Sequence, residues 1–150
     1  MGYQAMCQQE RASIVAIVIN LLLNGYVVLR LAELFGTDAL SGDNATMVWA
    51  RAIVWVIPAA IVLTIVLNPL FSMLSKDRNP KNLVDERDRQ FQLRGLYVTL
   101  ISTGIGYMTM IFVLATGWSA VAGLTLLYGS CAAGDLLGNV VRLSSYRIGA

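Results

Sequence analysis

Four apolar stretches, at about residues 12–31, 47–67, 93–115 and 118–137, constrain this chain more than any other feature, because each is as long as a bilayer is thick. At 1.5 Å per residue, a helix of about 20 residues spans roughly 30 Å of hydrocarbon. The expectation is an all-α integral membrane protein: a four-helix bundle over residues 1–150, built as two helical hairpins joined by a charged cytoplasmic hinge at residues 68–92. Apolar residues make up 57% of the chain, charged residues only 13%, and the mean hydropathy is +0.65. A soluble domain has about a quarter of its residues charged, so the bilayer is the expected solvent.

The first apolar run exceeds the apolar core of about 7–15 residues that a secretory signal peptide carries, and it continues into Arg30 and Glu33. A retained first helix is expected. The opening Met-Gly does not fit the myristoylation pattern, since Met6 stands where Ser or Thr is required. In the second run Trp49 and Trp55 lie where interfacial aromatic anchors belong. Pro58 predicts a kink, and Asn68-Pro69 predicts the exit of that helix. Only Thr116 and Gly117 separate the third and fourth runs, which predicts a tight helical hairpin. A shift of 81 positions lays Gly25-Tyr26 on Gly106-Tyr107 and Gly36 on Gly117. Duplication of a two-helix unit accounts for this, and so does coincidence in a low-complexity apolar chain.

Lys and Arg set the expected orientation. Arg11, Lys76, Arg78, Lys81, Arg87, Arg89, Arg94, Arg142 and Arg147 share one side of a four-span chain, against Arg51 and Arg30 toward the other. The positive-inside rule then puts both termini and the hinge in the cytoplasm, with Asp38 and Asp43 outside.

Several functions are excluded on composition. A net charge of +2 with interleaved acids gives no nucleic-acid surface. With no His, His-ligated haem and zinc sites and His-based nucleophilic catalysis fall away. Cys7 and Cys131 form no CxxC, and Cys131 reads as a small packing residue. The chain contains no P-loop, GxSxG or HExxH. No enzyme activity, cofactor or metal is expected.

Three constellations remain. The first is the charged segment at residues 76–94, KDRNPKNLVDERDRQFQLR. Asn82 and Asp85 can cap a helix that starts near Leu83 and runs into the third span, with Asp85 and Glu86 in its first turn. One reading is a docking surface for a cytosolic protein, with Asp85, Glu86, Arg87, Asp88 and Arg89 supplying charge and Phe91 an apolar anchor. The other is a solvated helix end whose basic residues rest on anionic lipid.

The second is a stripe of small residues. Gly95, Thr99, Ser102, Gly106 and Thr109 recur at helical spacing in the third span, and Gly123, Ser130, Gly134 and Gly138 in the fourth. Such faces let helices approach closely. Packing between these two helices is the simplest reading, and a homodimer through the fourth span is the alternative.

The third is intramembrane polarity. Asn20 and Asn24 share a helix face near mid-membrane and are expected to point away from lipid, as hydrogen-bonding glue or as the lining of a ligand site. Asp135 lies at or just inside the inner boundary and is a functional candidate if it lies in hydrocarbon.

At residues 85–95, DERDRQFQLRG, the chain resembles a loose set of small bacterial multi-spanning membrane proteins in which a DER or DERD segment leads into a helix. The resemblance covers the hinge and the start of the third span. Glu10-Arg11 before the first span departs from it by lacking the flanking aspartates. Such proteins are often paired with small helix-turn-helix regulators, so the resemblance implies a membrane partner that restrains a cytosolic transcription factor, with no catalytic residues to carry over. The expected function is thus regulatory or scaffolding. The alternative is an oligomeric small-solute or ion pathway lined by Asn20, Asn24 and Asp135. A lipid-modifying enzyme ranks last, having only Asp135, Asn139 and Arg142 to work with.

Overall fold

A computed structural model describes residues 8–74 and 86–148. Five helices follow one another, α1 (Gln8–Gly36), α2 (Ala45–Ile53), α3 (Val56–Leu74), α4 (Glu86–Ala115) and α5 (Ala120–Ile148), and the described residues contain no strand. Four stretches of helix are long and apolar enough to cross a membrane: Arg11–Gly36, Ala45–Leu67, Asp88–Ala115 and Ala120–Ile148. The chain has the make-up of a multi-pass membrane protein.

The second of these stretches is two helices in succession, and Pro58 explains why. Proline has no N–H to give the carbonyl four residues back, and its ring crowds that carbonyl. Here that residue is Val54, and the helix breaks at Val54 and Trp55. The neighbouring bonds survive, Val54 N–H to Ala50 O at 2.9 Å and Ala59 N–H to Trp55 O at 3.1 Å. The bend therefore falls one turn before the proline. Pro69 does not end α3, which continues through it to Leu74.

Between α4 and α5 the turn is built on Gly117, whose φ of +82° lies in the left-handed region that favours glycine. Trp118 N–H reaches back to Val113 O and Gly117 N–H to Leu114 O, both at 3.2 Å, which closes α4 with a Schellman motif. Ser119 opens α5, its Oγ accepting from Ala122 N–H at 3.2 Å.

Lateral packing follows residue size. α4 and α5 form the most extensive interface, α5 also packs on α1, α1 packs on α3, and α2 touches α1 and α5. α3 and α4 share no substantial interface, so the spans form an open row with α5 and α1 in the middle. Along the α4/α5 seam a Cβ at Gly106 would overlap Ser130 Oγ, one at Gly134 would lie 2.7 Å from Ser102 Cβ, and one at Gly138 would lie 2.7 Å from Gly95 O. The helices come this close because each contact sets a glycine against a small side chain or against the facing backbone.

The apolar core lies toward the end of the molecule that carries residues 36–45 and the α4/α5 turn, here called the upper end. Val27, Leu31, Leu40, Ile53 and Val121 are buried together there, with Trp49 and Tyr128 packed against them. Trp49, expected at an interface, donates Nε1–H to Thr125 Oγ1 at 3.0 Å and so ties α2 to α5, whereas Trp55 is 74% exposed. Buried polar residues collect lower down: Ser13, Asn20, Asn139 and Ser145.

Candidate functional site

Polar side chains from α1 and α5 form one directed hydrogen-bond chain. Tyr128 donates its hydroxyl to Asn24 Oδ1 at 2.6 Å. Asn24 Nδ2 donates to Asn20 Oδ1 at 2.9 Å and to Asn20 O at 2.8 Å. Asn20 Nδ2 donates to Asp135 Oδ2 at 2.9 Å and to Ala132 O at 3.3 Å. From the other side Asn139 Nδ2 donates to Asp135 Oδ1 at 3.3 Å and to Asp135 O at 2.8 Å. The bonds between side chains all run toward the carboxylate, and each of its oxygens holds one amide donor.

Helix geometry explains the assembly. Asn20 and Asn24 are one turn apart on α1, and Asp135 and Asn139 one turn apart on α5, so each pair lies on one face. Tyr128 lies two turns before Asp135 on that same face of α5. α1 and α5 run antiparallel as neighbours in the row, and their polar faces meet.

Asp135 lies about 22 Å along α5 from Ala120 at 1.5 Å per residue, short of the roughly 30 Å of a hydrocarbon layer. Asn20 is buried, at 9% exposure, but Asp135 is exposed. It borders a cleft of about 320 Å³ whose lining includes Asn20, Asn24, Val56, Ala60 and Thr64. That cleft lies between α1, α3 and α5. Two neutral amides donate to the carboxylate without bringing an opposite charge to it. The arrangement offers an oxygen-rich point for a proton, a cation or a donor-bearing solute.

A second cleft, of about 410 Å³, lies toward the lower end between α1, α4 and α5 and includes Ser13, Arg89, Gln92, Asn139, Arg142 and Tyr146 in its lining. Asn139 connects the two regions, bonding Asp135 from one cleft and lining the other.

The remaining expected site residues separate into two sets. Gly95, Ser102, Gly106, Ser130, Gly134 and Gly138 all lie in the α4/α5 seam. Of the docking set, only Asp88, Arg89 and Phe91 have described side chains. Asp85 lies outside the described residues, and Glu86 and Arg87 open α4 with side chains that also lie outside them. Asp88 is half-buried and Arg89 exposed. Phe91, expected as a partner's anchor, is instead 3% exposed, edge-on to Tyr146 at 5.2 Å between centroids and under the Arg94 guanidinium at 5.8 Å. It fastens α4 to α5 because α5 continues far enough down to bring Tyr146 against it.

Reasoning from the sequence missed Tyr128 as a member of the polar chain, although its spacing of seven before Asp135 was a usable signal. It also missed the pairing of Asn20 with Asp135, 115 positions apart, for which no local signal exists. No family model, curated protein or solved structure matches this chain.

Proposed function

We propose that this chain is a non-enzymatic bacterial inner-membrane protein, with both termini cytoplasmic and its spans arranged as an open four-helix bundle, that passes protons or small monovalent cations at Asp135. One observation carries the reading: a hydrogen-bond chain from Tyr128 through Asn24 and Asn20 delivers its last donor to a carboxylate that borders a cleft between α1, α3 and α5. Intramembrane acids are expensive to keep and mark ion or proton paths. An open row of helices, in which α3 and α5 share no substantial interface, leaves the cleft uncovered between those two for a second copy to complete, which fits an oligomeric pathway.

The test is flux in proteoliposomes under imposed proton, sodium and potassium gradients. Wild type dissipates one gradient faster than empty vesicles, Asp135→Asn abolishes the excess, and Arg30→Gln at the upper end leaves it intact. Wild-type flux equal to that of empty vesicles under all three gradients overturns the reading.

A second reading, regulatory docking of a cytosolic partner, is favoured by the length of α4. Its 30 residues give about 45 Å, more than a bilayer's roughly 30 Å of hydrocarbon requires. A rigid helical start with Arg89, Gln90 and Gln92 exposed would carry the segment that resembles the DERD proteins. Crosslinking in native membranes tests it. One cytosolic protein captured by wild type and lost from the Asp85→Ala, Glu86→Ala, Asp88→Ala variant supports docking, and identical capture by both overturns it.

A further inference from the structure

The cleft between the lower parts of α1, α4 and α5 has a chemistry that the Asp135 site does not use. Two guanidinium side chains, Arg89 and Arg142, line it together with the neutral groups of Ser13, Gln92, Asn139 and Tyr146, and no carboxylate is among the described lining residues. Leu93, Leu96 and Ala16 supply an apolar wall. Among the described residues neither arginine is joined to an acid, the ion pair between described groups being the exposed one of Arg30 with Glu33. Arg142 Nε is buried and has no hydrogen-bond partner there. A buried charged donor without an acceptor is costly.

Arg142 is held in position by the fold. Its stem crosses α4 at Gly95, where a Cβ would come within 2.5 Å of Nε. One turn further along α5, Tyr146 packs against Phe91. Counted from Ala120, Arg142 lies about 33 Å along α5, at the level where hydrocarbon gives way to headgroups.

From this juxtaposition we infer that the Arg89/Arg142 cleft binds an anionic phosphate group, as borne by an anionic phospholipid whose chain lies along Leu93 and Leu96. Guanidinium groups match phosphate oxygens in charge and geometry, and basic pockets between spans at the cytoplasmic face suit lipid headgroups. Free phosphate has the same oxygens without the chain, so the source is separable by experiment.

The test is native mass spectrometry of the purified full chain in detergent, titrated with phosphatidylglycerol, with phosphatidylcholine as the zwitterionic control and inorganic phosphate as competitor. Wild type retains phosphatidylglycerol in preference to phosphatidylcholine, and Arg89→Gln or Arg142→Gln weakens retention about tenfold, as expected for losing a charge-assisted hydrogen bond. Arg51→Gln, at the far end of the molecule, leaves it unchanged. Arg89 is exposed, so its variant remains informative even if Arg142→Gln does not fold. Displacement by millimolar inorganic phosphate assigns the site to free phosphate, and resistance to it assigns the site to lipid. Equal retention of both lipids by wild type, or retention unaffected by Arg89→Gln, overturns the inference.

Discussion

Gly138→Ala tests the close approach of α4 and α5 that holds the second hairpin together. The added methyl would overlap Thr99 Oγ1 and sit 2.7 Å from Gly95 O. Thr99 has little freedom to turn away, because its hydroxyl lies 3.2 Å from Gly95 O and 3.1 Å from Gly134 O, and the latter is a bond between helices. A backbone carbonyl cannot rotate aside at all. Restoring ordinary contact parts the helices by roughly 0.7–1 Å, enough to forfeit a quarter to a half of each dispersion well along the seam. Overpacking of this kind costs about 1–3 kcal/mol, and the lost bond between helices adds about 0.6 kcal/mol. Against this, alanine is the better helix former by up to about 1 kcal/mol. The expected net effect is a loss of about 0.6–3.6 kcal/mol. Gly129→Ala on the same helix is the control, since nothing lies within 4 Å of a Cβ there, and its effect should run from neutral to about 1 kcal/mol stabilising. The assay is unfolding in mixed micelles by SDS titration, followed by circular dichroism. If Gly138→Ala unfolds at the same SDS fraction as Gly129→Ala, or at a higher one, the account of the seam is wrong.

Two further outcomes follow from the contacts described. Tyr128→Phe removes the first donor of the polar chain and should cost about 0.6–1.7 kcal/mol in the same titration, while also reducing any Asp135-dependent flux. Phe91→Ala should cost about 3 kcal/mol through the cavity left between α4 and Tyr146, and a variant as stable as wild type would mean that Phe91 does not fasten these helix ends.

The polar chain shows why local and distant information differ here. Asn20 and Asn24 could be placed on one face from their spacing alone, and their partner had to be polar because hydrocarbon offers no alternative. That the partner is Asp135 depends on α5 lying beside α1, which no residue near either position encodes. Phe91 illustrates the same limit. An aromatic among charges reads as an exposed anchor until Tyr146, 55 positions later, is brought against it.

What the sequence determined by itself is whatever depends on length and on the backbone's own chemistry. Four stretches of helix able to cross a membrane follow from runs of apolar residues, and the tight α4/α5 turn follows from a glycine able to take a positive φ. Pro58 foretold a bend, though not that it would fall at Val54. The tertiary structure alone decided which helices are neighbours and which faces meet. It put α5 and α1 in the middle of the row, turned the small residues of α4 and α5 toward one another, and gathered Arg89 and Arg142 into one cleft. The reason is that a helix in lipid is apolar on its outer faces as well as its inner ones, so hydrophobic periodicity no longer marks the buried side. Packing of small residues and the satisfaction of a few polar groups choose the arrangement instead, and both are properties of pairs of helices.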